Sequence, residues 1–281
     1  MSLGRSDSPI KRYIIHAFMI FFGVLAILPV YILMINATRS IEQINTGLSI
    51  IPGTNTINNW VALNSRKPLL MWNGFFNSAI IAISTTVLSI YFSALTAYGL
   101  HIYRFKGRTA IWIIILIIMM LPGSLTFIGF YKLMATWGLI DTYIPLIIPS
   151  IAAAATVLFI RQYMSSVLSL ELVDAARIDG AGEFRIFNII ILPVIVPALA
   201  AQAIFTFVGS WNNFVTPLVI IISESKRTLP LIIALLNGDI YRPQVGGIYL
   251  GVAISLIPII IFYSFMSRFI ISGITMGGIK E

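Results

Sequence analysis

The 281-residue sequence contains no cysteine, and charged residues make up only 10% of it. The absence of cysteine excludes disulfide bonds, thiolate metal sites and cysteine nucleophiles within this chain. A soluble domain usually carries roughly 25% charged residues, so the low charge content indicates a membrane protein. The two histidines, His16 and His101, lie far apart at the edges of apolar runs. This placement is typical of polar residues at a membrane interface and not of a metal site or a catalytic base.

Motifs that would give the chain its own chemistry are also absent. The sequence has no Gly-x-x-x-x-Gly-Lys-Ser/Thr phosphate loop, so we do not expect it to bind ATP by that route. The middle of each long apolar run lacks Asp, Glu, Lys and Arg, which argues against a proton relay or a voltage-sensing helix. Since no nucleophile–base pair and no metal-ligand constellation is found, we predict a chain that is not an enzyme and binds no cofactor or metal.

Long apolar runs dominate what the sequence does contain, and hydrophobic residues make up 58% of the chain. A helix of about 20 apolar residues crosses a hydrocarbon core ~30 Å thick. That core contains no water to bond with the backbone. Helices are therefore favoured, because their backbone N–H and C=O groups bond to one another. We therefore predict an all-α integral membrane protein in which residues 1–281 form a single transmembrane domain. Six spans are predicted at approximately 14–35, 76–98, 110–131, 143–159, 194–222 and 248–271.

The distribution of basic residues predicts the orientation of these spans. An even number of spans places both termini on one side of the membrane, and that side would carry eleven of the 18 Lys and Arg residues. The connection 101–109 alone holds three bases and no acid. The positive-inside rule therefore places both termini and the connection 163–193 in the cytoplasm. We interpret the net charge of +8 as this orientation signal and not as a footprint for nucleic acid.

The first span shares only a basic flank, Lys11-Arg12, with a signal peptide. Its apolar stretch exceeds 20 residues, whereas the hydrophobic region of a cleaved signal is about 7–15 residues long. We therefore predict an uncleaved helix. Two long connections, 37–75 and 223–247, are predicted outside. Their turn-rich sequences suit either contact with an extracytoplasmic partner or simple linkers, and the sequence leaves both alternatives open.

The connection 163–193, called the acidic loop below, concentrates the few acids of the chain. Ser169 can cap a helix that begins at Leu170, and Gly180 suits the position just past its end. This pattern predicts a helix from Leu170 to Asp179. The loop carries four of the ten acidic residues: Glu171, Asp174, Asp179 and Glu183.

A second helical stretch is predicted from about Glu183 to Leu192, and Pro193 marks the entry to the fifth span. Between the acids of the first helix, Ala175 and Ala176 keep that helix slender. Another protein's groove could therefore approach it closely, and the helix is predicted to be a docking element.

Polar side chains form a stripe on the fifth span, where their spacings of four, four and three residues place them on one helical face. We favour a water-filled path along this face, with hydrogen bonding between helices as the alternative. For a similar stripe on the second span, Ser78, Thr85, Ser89 and Thr96, hydrogen bonding between helices is favoured. The residues predicted for the path are Gln202, Thr206, Ser210 and Asn213, with Asn212 and Trp211 beside them.

The acidic loop resembles the cytoplasmic loop of binding-protein-dependent ABC importer permeases. That loop has a Glu-Ala-Ala sequence, a Gly four residues later and a Leu-Pro pair twelve residues further on. Here Asp174-Ala175-Ala176, Gly180 and Leu192-Pro193 have the same spacing, with Asp174 in place of the usual Glu. Other stretches are similar to the carbohydrate branch, the maltose-permease-like subunits: Asn77-Ser78, Ala97-Tyr98-Gly99, Phe105-Lys106-Gly107-Arg108 and the ending from Ile271 to Lys280.

The resemblance implies a multi-pass permease subunit of an ATP-driven importer for a sugar or oligosaccharide, in the membrane of a bacterial or archaeal cell. It implies three kinds of partner: a second homologous permease, a dimer of cytoplasmic ATPase subunits that hold ATP and magnesium, and an extracytoplasmic sugar-binding protein. It also implies that the tail Met276–Glu281 reaches the ATPase. A stand-alone channel or facilitator, and an ABC permease for a non-sugar solute, stay open as alternatives. The residues implied in coupling to the ATPase are Glu171, Asp174, Ala175, Ala176, Asp179 and Gly180.

Overall fold

The computed structural model describes residues 9–64, 70–237 and 245–277, with side chains described except at positions 9, 70, 123–126 and 271–277. Throughout these residues the backbone forms helices, turns and bends, and no β-strand. The prediction of an all-α protein is thereby confirmed. Residues 238–244 of the predicted outer connection 223–247 and residues 278–281 of the predicted tail contact lie outside the described residues.

The described helices follow one another with short connections. In chain order they are α1 (Pro9–Ala37), α2 (Ile41–Asn45), α3 (Thr56–Asn64), α4 (Leu70–Ile102), α5 (Arg108–Met120), α6 (Gly123–Thr136), α7 (Ile144–Ile147), a 3₁₀ turn (Ile148–Ala152), α8 (Ala154–Val167), α9 (Leu170–Ile178), α10 (Glu183–Arg185), a π-helical segment (Ile186–Ile191), α11 (Leu192–Val194), α12 (Val196–Trp211), α13 (Val215–Ile220), a 3₁₀ turn (Glu224–Lys226), α14 (Leu229–Asn237) and α15 (Val245–Gly277).

Four helical stretches among the described residues are long and apolar enough to cross a membrane, and a bent pair could form a fifth span. The four correspond to the first, second, fourth and sixth predicted spans. The first two extend beyond the prediction at both ends, the fourth only at its C-terminal end and the sixth only at its N-terminal end. The count of six spans stays a prediction. The four stretches are Ile10–Ala37, Met71–Ile102, Ile144–Val167 and Val245–Ile270.

The third predicted span, 110–131, is not one continuous helix. It is interrupted between α5 and α6, where Leu121 (φ −76°, ψ 126°) and Pro122 (φ −62°, ψ 122°) are both extended. Proline has no N–H to donate to the preceding turn, and it disfavours helical geometry in the residue before it. Pro122 therefore ends α5, and two helices occupy the predicted span.

The fifth predicted span, 194–222, is also divided. Helices Glu183–Val194 and Val196–Trp211 meet at an angle of 80°, at Ile195, whose φ and ψ are −97° and 8°. Pro197 follows in the first turn of α12 and cannot donate a backbone hydrogen bond across the break. The helix then stops at Trp211, and α13 begins only at Val215.

The described chain divides into two compact units. The smaller comprises the described parts of Met1–Pro68 and Leu235–Ile254, and it is held together largely by polar contacts. The buried side chain of Asn59 donates to the carbonyl oxygens of Ala37 (2.9 Å) and Arg39 (3.0 Å). A Cβ at Gly246 would collide with the Asn59 side chain, so only glycine fits where α15 passes this amide.

The larger unit comprises the described parts of Leu69–Ala234 and Ser255–Glu281. At its core the small residues Ala94 and Ala97 of α4 are fully buried and allow close packing. Ile160 and Met164 of α8 pack in the same cluster, as do residues of the π-helical segment. Because Val173 and Ala176 of α9 belong to this cluster too, the acidic helix rests on the main core of the unit.

Two of the four residues in the polar stripe of α4 join helices, and a third, Ser89, has a buried hydroxyl without a hydrogen-bond partner among the described residues. Ser78 Oγ accepts a hydrogen bond from the backbone N–H of Leu229 (2.9 Å), and Thr85 Oγ1 donates to the carbonyl of Leu146 (3.3 Å). Thr96 differs, since it is exposed and donates within its own helix to Phe92 (2.8 Å). Interhelical hydrogen bonding is therefore confirmed for Ser78 and Thr85.

A single carboxylate joins two loops of the larger unit. Asp141 accepts hydrogen bonds from the backbone N–H groups of Ile222 (3.0 Å) and Ser223 (2.9 Å). It also forms an ion pair with Lys226 Nζ (3.0 Å). Its own φ is +63°, a conformation in which aspartate is tolerated better than most residues. We call Asp141, Ile222, Ser223 and Lys226 the Asp141 network.

Candidate coupling site

The acidic helix predicted between Leu170 and Asp179 is α9, and its bounds agree with the prediction to within one residue. Ser169 is its N-cap, and Ser169 Oγ accepts a hydrogen bond from the backbone N–H of Leu172 (3.4 Å). Glu171 lies in the first turn, where a negative charge interacts favourably with the helix dipole. Both features were readable from the sequence.

The other end of α9 is closed by Gly180, which has a φ of +79°. The N–H of Ala181 donates to the carbonyl of Ala176 and that of Gly180 to the carbonyl of Arg177, both at 3.0 Å. This pair of bonds is the Schellman motif. A left-handed residue is needed at its centre, and glycine adopts that conformation without steric cost.

The two sides of α9 have different surroundings. Val173 and Ala176 are buried in the core of the larger unit, whereas Asp174, Ala175 and Ile178 are exposed. The two adjacent alanines therefore have different roles. Ala176 packs against this chain, and Ala175 presents a small side chain to the surroundings.

A network centred on Glu183 fastens α9 to the end of α4. Arg177 Nε donates to Glu183 Oε1 (2.7 Å), and another guanidinium nitrogen of Arg177 donates to Asp174 Oδ1 (3.0 Å). The other Glu183 oxygen, Oε2, accepts from the hydroxyl groups of Tyr98 (2.9 Å) and Tyr103. We call Tyr98, Tyr103, Asp174, Arg177 and Glu183 the Glu183 network.

The charges of the Glu183 network support one another. The hydrogen bond to Glu183 raises the pKa of the Arg177 guanidinium above its ordinary value. Burial, and then the hydrogen bond to Glu183, raises the pKa of the Tyr103 hydroxyl. The groups are therefore held as a guanidinium, a carboxylate and a neutral phenol at neutral pH. Sequence reasoning identified Glu183 only as one of four acids, because nothing in the spacing links positions 98 and 103 to position 183.

The four acids of the loop thus fall into two pairs. Asp174 and Glu183 are bonded to Arg177 within the chain. The side chains of Glu171 and Asp179 are exposed and form no hydrogen bond or ion pair within the described part of the chain. Of the residues implied in coupling, only Ala176 is buried, and these two acids are the exposed charged side chains that have no partner within the described part of the chain.

The predicted path residues are divided by the end of α12. Gln202, Thr206 and Ser210 are half-buried on one side of the helix, as their spacing predicts. Asn212 and Asn213 are exposed beyond its last residue. Asn213 Oδ1 accepts from the backbone N–H of Thr216 (3.2 Å), so Asn213 caps the next helix. The prediction that Asn213 shares the α12 face is therefore wrong.

The indole of Trp211 is also occupied. Trp211 is 1% exposed, and its Nε1–H donates to the carbonyl of Ser255 (3.1 Å). Phe207, one turn earlier, stacks on Phe262 with ring centroids 4.0 Å apart. This side of α12 packs within the larger unit, so the Trp211 ring does not lie beside an open path.

Comparison with known proteins agrees with this arrangement. A family model described as the inner membrane component of binding-protein-dependent transport systems matches residues 102–275. The arabinooligosaccharides transport system permease protein AraQ of Halalkalibacterium halodurans is 37% identical over 279 residues, covering 98% of this chain and 99% of that protein. The trehalose/maltose transport system permease protein MalG of Thermococcus litoralis is 30% identical and covers 98% of this chain and 99% of its own length.

A solved structure shares the fold. One chain of a bacterial ABC transporter involved in the import of the acidic polysaccharide alginate is similar with a TM-score of 0.79 and 22% identity, covering 95% of this chain and 99% of that chain. The residues matched by the family model include α9, Gly180 at its C-terminal end and the Leu192-Pro193 pair. They also include the apolar helices that follow. The chain therefore belongs to the family of inner membrane components of binding-protein-dependent transport systems.

Proposed function

We propose that this chain is a permease subunit of an ATP-driven importer for a sugar or oligosaccharide, and that α9 docks on a cytoplasmic ATPase subunit. The observation that carries the coupling role is the build of α9. One side is anchored in the core, while the other presents Glu171, Ala175 and Asp179 without partners among the described residues. Two relatives of nearly the same length, named for arabinooligosaccharide and trehalose/maltose transport, support the substrate class.

The proposed mechanism requires α9 to move as a rigid element. Closure of an ATPase dimer on ATP would displace α9, and two attachments would carry that displacement onward. The apolar attachment is Val173 and Ala176 in the core, and the polar one is the Glu183 network at the end of α4. Rigid displacement of packed elements is a common route of coupling between distant sites.

The proposed assembly supplies what this chain lacks. ATP and magnesium would be held by a dimer of ATPase subunits, so the chain itself would be non-catalytic and free of cofactors. A second homologous permease would complete the pathway, and an extracytoplasmic binding protein would deliver the sugar. Gln202, Thr206 and Ser210 would contribute hydrogen-bonding groups to the path, since they are only half-buried on α12.

We also propose six spans with both termini in the cytoplasm. In this topology α5 and α6 form the third span across the break at Pro122, and α12 with α13 forms the fifth. Both breaks need local partners for the freed backbone groups, which neighbouring helices can provide inside a membrane protein.

The docking proposal is tested with Ala175→Trp. Ala175 is exposed on a helix, so the indole is accommodated by the chain but obstructs a groove that approaches α9. We expect the variant to insert in the membrane, to lose co-purifying ATPase subunits and to lose sugar uptake. Ala135→Trp, at an exposed alanine of α6, is the matched control and should retain both. Uptake by Ala175→Trp without bound ATPase would instead favour a stand-alone channel.

The topology is tested with single cysteines, since the chain has none of its own. Lys106→Cys should react with a membrane-impermeant thiol reagent only after the cytoplasmic side is exposed. Thr54→Cys should react in intact cells. Both positions are exposed in the structure. Labelling of position 106 in intact cells would reverse the proposed orientation.

A further inference from the structure

A cluster of basic side chains forms where α4, α5 and α8 approach one another. His101 near the end of α4 lies within electrostatic range of Arg108 and Arg161, and Arg161 within range of Arg108. The Arg161 guanidinium lies over the ring of Trp112, 4.0 Å from its centroid. We call His101, Arg108 and Arg161 the basic cluster. Trp112 fixes the guanidinium by a cation–π contact but does not neutralise its charge.

One donor of the basic cluster, Arg161 Nε, is buried without a hydrogen-bond partner in the described part of the chain. His101 Nε2 is also buried without a partner there, and it donates or accepts according to the tautomer of the ring. A buried donor left unpaired destabilises the fold. Among the described residues, no carboxylate forms an ion pair with any member of the cluster. Arg177 and Lys226 differ from the basic cluster in this respect, because each has a carboxylate oxygen within 3.0 Å.

The position of the cluster indicates what would satisfy it. In the topology proposed above, on which this inference rests, the cluster lies at the cytoplasmic surface of the membrane beside the loop 103–107. That loop adds Arg104 and Lys106 and contains no acid. Basic pockets between helices at this surface bind the head groups of anionic lipids, and tryptophan is enriched at the same depth.

We propose that the basic cluster binds a phosphate group, supplied by the head group of an anionic phospholipid of the cytoplasmic leaflet. A phosphate offers several strong acceptor oxygens, and a guanidinium can donate to two of them in parallel through Nε and a terminal nitrogen. This arrangement would pair the Nε of Arg161 and bring a negative charge between two arginines. A water molecule could accept a hydrogen bond from Arg161 but would leave the positive charge uncompensated.

The test measures phospholipid retained by the full transporter complex purified in a neutral detergent. We expect the wild-type complex to retain phosphatidylglycerol in preference to phosphatidylcholine, as counted by native mass spectrometry. Arg161→Gln keeps most of the side-chain volume and should reduce that retention severalfold. Arg108→Gln, at the first residue of α5, should reduce it as well, and it provides a second reading should Arg161→Gln fold poorly. Lys132→Gln, at an exposed lysine of α6, is the matched control and should retain lipid as the wild type does.

A melting experiment distinguishes the two sources of phosphate. Vesicle-derived phosphatidylglycerol should raise the melting temperature of the wild-type complex, and inorganic phosphate at equal concentration should not. Stabilisation by inorganic phosphate alone would keep the phosphate site but assign it to a soluble anion, overturning the lipid. Equal retention of phosphatidylglycerol by wild type, Arg161→Gln and Arg108→Gln would overturn the site itself. These outcomes differ from those that would contradict the proposed function. If the coupling proposal is wrong, Ala175→Trp will retain its ATPase subunits. If the topology is wrong, position 106 will be labelled from outside in intact cells.

Discussion

The Glu183 network and the Asp141 network each centre on one carboxylate, but they differ in what that carboxylate binds. Glu183 accepts only from side chains: the two tyrosine hydroxyls and the Arg177 guanidinium. Asp141 accepts from two backbone N–H groups as well as from the Ser223 hydroxyl (2.5 Å) and Lys226. Backbone donors cannot rotate away without moving the chain, whereas side-chain donors can.

The difference indicates which region is built to stay fixed. The Asp141 network holds two loops by their backbones, so it stabilises one arrangement of those loops. The Glu183 network joins α9 to the end of α4 through rotatable side chains, and its members can adjust while remaining bonded. We infer that the first network serves stability and the second serves transmission of motion. This distinction can be tested by asking which of them affects transport per folded complex.

The largest effect is expected for Glu183→Ala. Removing the carboxylate leaves Arg177 and the two tyrosine hydroxyls without their common acceptor. Tyr98 is buried, and an unpaired buried hydroxyl costs about 1–3 kcal/mol. Arg177 is partly exposed, so water recovers part of its loss. We expect sugar uptake per complex to fall by at least about tenfold, since ~1.4 kcal/mol corresponds to a factor of ten. Glu171→Gln, on the same acidic loop but outside the network, should leave the melting temperature unchanged.

Uptake by Glu183→Ala at the wild-type rate, in complexes that retain their ATPase, would show that the network does not transmit motion. Loss of the ATPase itself would instead assign the network to holding α9 in place for docking.

A smaller effect is expected for Gly180→Leu. A Cβ at this position would meet no other atom within 4 Å, so the cost comes only from the left-handed backbone, roughly 1–2 kcal/mol for an ordinary L-residue. The end of α9 should unwind, and coupled uptake should fall by about tenfold while membrane insertion is retained. Gly180→Asn should be milder, because asparagine tolerates this conformation better. Equal uptake by all three proteins would contradict a role for the α9 end.

A third variant concerns a polar group that belongs to neither network. Gln202 is half-buried, and its side chain has no hydrogen bond within the described part of the chain. If it lines the sugar path, Gln202→Leu should remove a bond worth roughly 0.5–1.5 kcal/mol and lower uptake about threefold, at an unchanged melting temperature. Asn213→Leu should behave oppositely, because it removes the cap of α13. A fall in melting temperature for Gln202→Leu, with normal uptake per folded complex, would assign Gln202 to contacts between helices.

The smallest effect on transport is expected for Asp141→Asn, which should change stability in a pH-dependent way. The side-chain and backbone hydrogen bonds from Ser223, followed by Lys226, hold the pKa of the Asp141 carboxyl well below its usual range. A carboxyl with a lowered folded-state pKa stabilises the fold above its unfolded pKa of about 4, and this contribution is lost as pH falls through the folded pKa. The melting temperature of the wild type should therefore exceed that of Asp141→Asn near neutral pH, and the difference should narrow in acid.

A difference in melting temperature between the two proteins that stays constant from neutral pH to below pH 4 would show that the Asp141 charge contributes nothing to stability. Uptake at neutral pH should be the same for both, in contrast to Glu183→Ala.

The sequence predicts the local structure of α9 well because its determinants are local. Ser169, Glu171 and Gly180 act on backbone groups within a few residues, so spacing is sufficient to place both ends of the helix. The apolar runs predict helices for a similar reason. Pro29, Pro122 and Pro258 all lie within predicted spans, but the helix is broken only at Pro122 and continues through the other two. Whether a proline ends a helix depends on packing that the sequence does not display.

The features of the site that the sequence did not predict depend on contacts between residues far apart in the chain. Tyr98 and Glu183 are 85 residues apart, and Asp141 and Lys226 are 85 residues apart as well. No periodicity relates such pairs, so neither network was predicted. The same limit explains Trp211, whose indole is assigned to packing only once the Ser255 carbonyl is known to lie beside it.

The bend at Ile195 has a consequence for the direction of force. Helices Glu183–Val194 and Val196–Trp211 meet at 80°, so a push along the axis of the first arrives at the second almost entirely as a sideways thrust. A displacement along the first helix would therefore move α12 sideways rather than along its own axis. The π-helical segment Ile186–Ile191 lies within the first of these two helices. One residue more or fewer in that segment would change the direction in which α12 is displaced.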